Sequence, residues 1–205
     1  SLLQAERILL NIMQRMSGVA TQTAVYVQEL DGLKTQVIDT RKTTPGMRVL
    51  DKMAVRIGGG GNHRIGLFDM VILKDNHIDF AGGITPAIRK TQAARGIDLA
   101  GAIRHVREQV GHTTHIEVEV DRLEQIPAVL AGGADTIMLD NFSPETTREA
   151  VALIGGRYET ESSGGITLKN LREYAECGVD FISVGALTHQ IKSLDLSLKA
   201  CKAGE

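Results

Sequence analysis

Apolar residues in the first part of the chain recur at helical spacing. The pattern predicts an amphipathic helix over residues 2–16, because an apolar side chain returns every three or four positions. Ser17-Gly18 is a helix-breaking pair, so we predict a second helix over residues 19–29, before Asp31-Gly32 turns the chain. The apolar positions of the first helix are Leu2, Leu3, Ile8, Leu9, Ile12 and Met13.

Beyond residue 32 the chain alternates between short β-branched runs and longer stretches with helix signals. The last four runs recur about every 21 to 24 residues, a rhythm that is typical of βα units. N-cap and proline pairs stand at Thr85-Pro86 and Ser143-Pro144, Thr167 is a further candidate N-cap, and Gly178 is a candidate helix stop. The predicted strands cover residues 35–38, 70–73, 115–120, 136–139, 158–161 and 181–184.

Repeated βα units form a parallel sheet, and regular spacing without a nucleotide-binding glycine fingerprint favours a barrel over an open sheet. We therefore predict an α/β barrel of about six or seven parallel strands, preceded by helices. Residues 1–193 would form this barrel domain. The alternation SLDLSLK near the end predicts an edge strand and tail over residues 194–205.

The composition is that of an ordinary globular domain and argues against several functions. The 205 residues carry 23 Lys and Arg against 25 Asp and Glu, so the net charge of −2 gives no overall attraction to nucleic acid. Aromatic residues make up only 3%, and no apolar run approaches the roughly 20 residues of a membrane span. Cys177 and Cys201 lack metal-ligand spacing and predict a reducing compartment, the cytoplasm. The chain starts without a signal-peptide layout, as a helix already under way, so we expect a fragment of a longer protein.

Five cationic residues gather around a run of four glycines, Gly58–Gly61. Glycine lets backbone N–H groups approach an anion closely, and arginine and lysine supply the opposite charge. The lysine of this group also ends an apolar strand, where burial requires an anionic partner or a lowered pKa. The cluster predicts a binding site for a strongly anionic small molecule. Its members are Arg41, Lys42, His63, Arg64 and Lys74.

Polar residues also follow the ends of the predicted strands. In a βα barrel the chemistry lies at the carboxyl ends of the strands, so this placement predicts an enzyme. Glu119 and Asp140, on neighbouring strands, form a carboxylate pair suited to Mg²⁺ or to hydroxyl groups. Ser162 and Ser163, with Gly185 one unit later, match the phosphate pocket that many barrels form from their last two units. The full set is Asp39, Arg41, Lys42, Lys74, Asp75, Asn76, His77, Glu117, Glu119, Asp140, Asn141, Glu161, Ser162, Ser163, Gly164, Gly165, Gly185, Thr188 and His189.

Each motif taken alone has a plainer interpretation. The arginine and lysine after the first strand are also typical of a solvated turn. His63 is equally typical of a hydrogen-bonded loop histidine, and glycine runs usually mark loose turns. Glu117 and Glu119 share one face of their strand, and they either point inward, where they repel unless a cation joins them, or face solvent. The residues by themselves leave these alternatives open.

Six segments, taken in order, resemble the quinolinate phosphoribosyltransferase family, also called carboxylating nicotinate-nucleotide pyrophosphorylases. The segment AERILLNIMQRMSGVAT is similar to the helices that precede the barrel in that family. The resemblance extends from about Ala5 to Lys199. The six segments are DTRKTTPGMR, GGGGNHRIGLFDMVILKDNHI, IEVEV, IMLDNF, ESSGGI and ISVGALTH.

The resemblance implies a fold and a reaction. The fold would be the type II phosphoribosyltransferase barrel, an incomplete TIM-like α/β barrel. The reaction would transfer phosphoribose from phosphoribosyl pyrophosphate to quinolinate with loss of carbon dioxide. Its products would be nicotinate mononucleotide and pyrophosphate, in NAD biosynthesis, with Mg²⁺ as the cofactor.

The resemblance also implies roles for individual residues. Lys42 would lie between the two substrates, and Glu119 and Asp140 would face the ribose and Mg²⁺, which makes these three the catalytic residues. Arg7 would be donated to the site of the neighbouring subunit in a homodimer or larger homo-oligomer. The family's N-terminal sandwich domain has no counterpart in this sequence. The carboxylates of quinolinate would be held by Arg41, His63, Arg64 and Lys74, and the phosphate side would be lined by Ser163, Gly164, Gly185 and His189.

Four alternatives remain beside this interpretation. A paralogue associated with molybdenum uptake, or a non-decarboxylating nicotinate phosphoribosyltransferase, could share the barrel. A phosphate-binding barrel lyase could use Lys74 as a Schiff-base nucleophile, although Arg41, His63 and Arg64 would then have no function. An inactive barrel fragment is the fourth alternative.

Overall fold

A computed structural model describes residues 2–74 and 99–199 of the chain. Six short strands alternate with helices in this part, and all six predicted strands are confirmed to within two residues at either end. The predicted helix start at Thr85-Pro86 and the polar residues 75–77 lie outside the described residues. The strands are β1 (Gln36–Ile38), β2 (Val71–Leu73), β3 (Ile116–Val120), β4 (Thr136–Asp140), β5 (Glu159–Ser163) and β6 (Phe181–Ser183). The helices are α1 (Leu2–Glu29), α2 (Arg48–Ile57), α3 (Leu99–Gln109), α4 (Ile126–Gly132), α5 (Pro144–Ile154), α6 (Leu171–Ala175) and α7 (Ala186–His189), with a 3₁₀ turn at Leu123–Gln125.

The six strands form one parallel sheet in the order β1-β6-β5-β4-β3-β2. Strands β1 and β2 stand at the two ends of this order, and residues that follow both of them line one cavity, so the sheet curves around it. On the side of β1 that faces away from β6, Ile38 forms an isolated parallel bridge with Gly61. The predicted α/β fold with an incomplete barrel is therefore confirmed.

The strands present alternate residues to two environments, as the pleat requires. Ile116, Val118 and Val120 of β3 belong to the apolar core. Glu117 and Glu119, between them, are only 0% and 6% exposed, which settles the choice between an inward and a solvated face in favour of the inward one. The same alternation along β4 and β5 brings their polar residues to the cavity.

The first helix differs from the prediction. Residues 2–29 form one continuous helix, so the expected break at Ser17-Gly18 is wrong. A Cβ atom on Gly18 would lie 2.5 Å from the carbonyl oxygen of Lys192. Glycine at this position therefore allows the C-terminal segment to pass close to the helix. Local helix signals do not reveal such a contact between distant parts of the chain.

Two further local predictions changed. Residues 194–199, expected as an edge strand, form no strand but run beside α1, where the Leu194 N–H donates to Gln14 O and the Gln14 amide donates to Leu196 O, both at 3.1 Å. Thr167 was expected as an N-cap, but α6 begins only at Leu171 because residues 167–170 form a turn closed on Asn170. Ser143 does cap α5 as predicted, accepting from the Thr146 N–H at 3.2 Å.

No helix among the described residues is long and apolar enough to cross a membrane.

Candidate active site

A cavity of about 830 Å³ opens at the carboxyl ends of the strands. It is lined by every residue to which the family resemblance gives a role except Arg7, which is exposed on α1. The strand-end residues Asp39, Glu117, Ser162 and Thr188 do not line it. The structure therefore brings together residues that are scattered over about 150 positions of sequence, between β1 and α7, as a barrel does. Those lining the cavity are Arg41, Lys42, His63, Arg64, Lys74, Glu119, Asp140, Ser163, Gly164, Gly185 and His189.

The glycine run is not an anion cradle. Each of its four N–H groups donates to a backbone carbonyl of α2 or β1, at 2.9 to 3.1 Å. Cβ atoms on Gly58, Gly60 and Gly61 would each lie within 2.7 Å of an atom of α1 or β1. The run thus packs a chain segment tightly between α1 and β1, and this correction leaves anion binding to the side chains that follow it.

Asp39 and Lys52 fix the backbone of His63. Asp39 Oδ1 accepts from Lys52 Nζ at 2.5 Å and from the His63 N–H at 2.8 Å, while Asn62 Nδ2 donates to Asp39 Oδ2 at 2.7 Å. Lys52 Nζ also donates to His63 O at 2.8 Å. Burial raises the pKa of Asp39, and the Lys52 ammonium opposes that rise. Asp39 was predicted at the site, but its role here is to hold the chain that leads to Arg64.

The His63 ring has both nitrogens engaged within the protein. Nδ1 accepts from the Arg64 N–H at 2.7 Å, and Nε2 lies 3.1 Å from Glu117 Oε2 and 3.6 Å from Glu161 Oε2. Burial lowers the pKa of His63, and the Glu161 carboxyl opposes this change. Because Nδ1 is the acceptor, the tautomer that fits this hydrogen bond carries its proton on Nε2. A direct contact between a ring nitrogen and a substrate carboxylate would therefore require the ring to rotate.

Arg41 and Arg64 bring two guanidinium groups to the cavity. Arg64 is 8% exposed, and its Nη1 donates to Met70 O at 3.0 Å. Burial, together with the charge of Arg41, lowers the pKa of Arg64. Neither guanidinium forms an ion pair with a carboxylate in residues 2–74 or 99–199. Two neighbouring cations without an acidic partner favour an anionic occupant.

Arg48 is a cavity residue that sequence reasoning missed. Its Nε donates to Thr43 Oγ1 and its Nη1 to Ile65 O, both at 3.1 Å, and Nη2 reaches Arg41 O at 3.4 Å. It thereby links the loop after β1 to the segment that follows the glycine run. Its position at the end of DTRKTTPGMR, where α2 begins, was the available signal.

Lys74 and Glu119 form an ion pair between the end of β2 and the neighbouring β3. Asp140 accepts from the Asn141 amide at 2.7 Å at the end of β4. Asn141 has a positive φ of 56°, and a Cβ atom on Gly164 would lie 2.1 Å from its Oδ1. Position 164 therefore requires glycine for two reasons: the close approach of Asn141 and its own positive φ of 93°.

Gly185 gives room to the side chains of Lys42 and His189. A Cβ atom there would lie 2.9 Å from His189 Nε2 and 3.2 Å from Lys42 Cδ. The Thr188 hydroxyl donates to Lys42 O at 2.8 Å, which joins α7 to the loop after β1. Lys42 and His189 thus lie on one side of the cavity with Ser163, which ends β5.

Glu117 and Glu161 form a buried carboxyl pair beside His63, and Glu161 lines the cavity. Burial raises the pKa of both groups, to about 7 for Glu117 and, with the added effect of the neighbouring Glu117, to about 8 for Glu161. Glu161 was predicted only as one of the polar residues at strand ends. Its spacing of two from Ser163 places both on the inner face of β5, which was the signal for a functional position.

We expect the stability of the protein to fall as the pH rises from 5 to 8. A folded-state pKa of about 8 for Glu161, against an ordinary value of 4.5, means that the folded chain holds a proton which the unfolded chain releases in this interval. The free energy of unfolding would lose up to about 1.4 kcal/mol per pH unit. Urea denaturation at pH 5, 6, 7 and 8 measures it. Glu161→Gln should flatten the slope and Glu159→Gln, on the exposed start of β5, should not; equal slopes in all three proteins would contradict the assignment.

Comparisons with known proteins agree with this geometry. Residues 19–199 match the model of the family described as quinolinate phosphoribosyl transferase, C-terminal domain. The probable carboxylating nicotinate-nucleotide pyrophosphorylase of Bacillus subtilis is 45% identical over 100% of this chain and 66% of its own length. The corresponding protein of Mycobacterium leprae is 44% identical over 96% of this chain and 65% of its own. The solved nicotinate-nucleotide pyrophosphorylase of Francisella tularensis superimposes with a TM-score of 0.83 at 44% identity, covering 96% of this chain and 64% of that one.

The chain spans about two thirds of the length of these relatives. The match nevertheless includes all six strands and every cavity residue named above. The chain belongs to the quinolinate phosphoribosyl transferase C-terminal domain family.

Proposed function

We propose that this site transfers phosphoribose from phosphoribosyl pyrophosphate to quinolinate, with decarboxylation, to give nicotinate mononucleotide, pyrophosphate and carbon dioxide. One observation carries the proposal. Arg41 and Arg64 enter the same cavity, and no carboxylate of the described residues lies within ion-pair distance of either, although Glu117 and Asp69 are near enough to act on the charge of Arg64; the site therefore suits a compact diacid.

The diacid would lie against the cationic wall of the cavity. Arginine binds carboxylates through two parallel N–H···O bonds, so two arginines fix both the position and the plane of the pyridine ring. Lys74 adds a point charge, already shared with Glu119. Because Met70 O and the His63 ring restrain Arg64, little side-chain entropy remains to be lost when the diacid binds.

The sugar donor would occupy the opposite side. Ser163, Gly164, Gly185 and His189 would receive its phosphate, with Lys42 directed at the pyrophosphate. Attack of the ring nitrogen on C1 breaks the bond to pyrophosphate through an oxocarbenium-like carbon, whose positive charge Glu119 and Asp140 would stabilise.

Carbon dioxide would leave after the new bond to C1 has formed. The ring is then a pyridinium, which accepts the electron pair of the breaking carbon–carboxylate bond. The ring carbon takes up a proton, and no covalent bond to the enzyme forms.

Mg²⁺ fits the hard oxygen donors that Glu119 and Asp140 present to the cavity, since this ion is usually held by one or two carboxylates together with substrate phosphates. When bound, it would neutralise charge on the leaving pyrophosphate. The two carboxylates would hold it beside the sugar.

The proposal extends to assembly and location. A homodimer or larger homo-oligomer would place the exposed Arg7 at a neighbouring site, which accounts for its absence from its own cavity. A cytoplasmic location follows from the sequence prediction of a reducing compartment, and the free Cys177 is compatible with it. Plant relatives are named as chloroplastic or mitochondrial proteins.

The direct experiment supplies quinolinate, phosphoribosyl pyrophosphate and Mg²⁺ and measures nicotinate mononucleotide and released carbon dioxide. Product is expected from the chain, or from a longer chain that joins it to the family's N-terminal domain. Product from neither would reject the function. Nicotinate in place of quinolinate tests the non-decarboxylating alternative, and unchanged Lys74 after borohydride treatment would exclude the Schiff-base lyase.

Glu119→Ala is expected to lower turnover by roughly 100- to 1,000-fold, because a charge directed at the developing positive carbon is lost. The substrate dissociation constants should change less. Steady-state kinetics measure both effects, with Glu124→Ala, at an exposed residue of the 3₁₀ turn that follows β3, as the control. Turnover equal to the wild type would remove Glu119 from the catalytic residues.

A further inference from the structure

The buried carboxyl pair, Glu117 and Glu161, has no place in the reaction as proposed. Both side chains are almost fully buried, at 0% and 2% exposed. No donor group of the other described residues reaches either oxygen of Glu117 or Oε1 of Glu161 with the geometry of a hydrogen bond, so these oxygens depend on the contact between the two carboxyls themselves. Buried carboxyls without partners are costly, so such a pair calls for a functional explanation.

The His63 ring lies beside both carboxyls. Nε2 lies 3.1 Å from Glu117 Oε2 and 3.6 Å from Glu161 Oε2, close enough for attraction although the angles are not those of a hydrogen bond. On its other edge, Nδ1 accepts the Arg64 N–H at 2.7 Å. The ring therefore lies between the carboxyl pair and the backbone of Arg64.

The same three side chains have atoms within 4.8 Å of one another, close enough to consider a metal ion. A metal on Nε2 requires that the ring proton be on Nδ1. That proton would face the Arg64 N–H, donor against donor, at a nitrogen separation of 2.7 Å. The hydrogen bond at Nδ1 thus selects a proton on Nε2 and disfavours a metal.

We propose that Glu117 and Glu161 are positioning residues: they hold the His63 ring with its Nε2–H directed inward, and His63 in turn sets the backbone of Arg64 for the diacid. This inference rests on the proposed function for its consequence but not for its geometry. The carboxyl pair serves recognition of the diacid and has no part in binding the sugar donor.

The geometry is tested by NMR of protein labelled with ¹⁵N in its histidines, with His63→Gln used to assign the signals. Wild-type protein should show His63 with an unprotonated Nδ1 and a protonated Nε2. Glu117→Ala and Glu161→Ala should lose this pattern, whereas Glu117→Gln and Glu161→Gln, which keep a polar oxygen, should retain it. A proton on Nδ1 in the wild type would overturn the proposal, and so would Zn²⁺ binding that shifts the His63 signals.

The consequence is tested by kinetics. Each alanine variant should raise KM for quinolinate by roughly 10- to 100-fold, the cost of a lost charge-assisted contact, with KM for phosphoribosyl pyrophosphate changed less than about twofold. The glutamine variants should recover most of the loss. A purely structural role would raise both KM values together, and that result would overturn the proposal. Absence of product from the wild type would reject the proposed function while leaving the NMR result to decide the geometry.

Discussion

Arg64→Ala is expected to weaken quinolinate binding by about 2–5 kcal/mol, because it removes one partner of a charge pair that the cavity shields from water. Arg64 is 8% exposed and is restrained by Met70 O at one end and the His63 ring at the other. Arg64 can therefore bind a carboxylate of quinolinate without a rearrangement of its own position. Binding of the sugar donor, on the opposite side of the cavity, should change little.

Calorimetric titration of quinolinate into the wild-type and variant proteins measures the difference. Arg56→Ala is the matched control, since Arg56 is an exposed arginine near the end of α2 and does not line the cavity. The titration belongs in the longer chain with the N-terminal domain if the chain alone binds neither substrate. An unchanged quinolinate dissociation constant would reject the placement of the diacid beside Arg64.

Lys52→Ala is expected to lower the free energy of unfolding by about 3–5 kcal/mol, since it leaves the buried carboxyl of Asp39 without its cation. Lys52 and Asp39 are 4% and 0% exposed, and Lys52 also donates to His63 O. The backbone of His63 would lose its bond from Lys52, and Asp39, which accepts the His63 N–H, would lose its cation. Quinolinate binding should weaken as well, in any variant protein that remains folded.

Urea denaturation at pH 7 measures the loss of stability. Lys34→Ala provides the comparison, because Lys34 forms an ion pair with Asp180 at 2.8 Å but its side chain is 62% exposed. Exposed pairs of this kind contribute less than about 1 kcal/mol. Equal losses in the two variants would show that the burial of Asp39 and Lys52 has no energetic consequence.

The strands were predictable from sequence because a βα unit combines a short β-branched run, a turn and a helix signal in a fixed order. The cationic wall was predictable for a related reason, since residues just beyond barrel strands converge whatever their separation in sequence. What failed depended on distant contacts. Gly18 appeared to break a helix, although it only makes room for Lys192 O.

The prediction of an anion-binding role for the glycine run was wrong for the same reason. Its sequence suggests free backbone N–H groups, but α2 and β1 use all four of them. The inward direction of Glu161 follows from the pleat, whereas its proximity to Glu117 and His63 depends on strand register, which no local pattern states. Arg48 was missed because its contacts join two loops that are separate in sequence.

The bridge between Ile38 and Gly61 has a consequence for how this cavity could change over evolutionary time. This bridge, the contact of Asp39 with His63 and the contacts of Arg48 join the segment after the glycine run to β1 and its loop, so these local contacts set the spacing between Arg41 and Arg64. Substitutions next to these contacts could widen or narrow the space between the two arginines while the strands keep their register. A change in the acidic ring that the protein prefers would therefore begin with these contacts. The residues proposed to bind the sugar phosphate would not have to change.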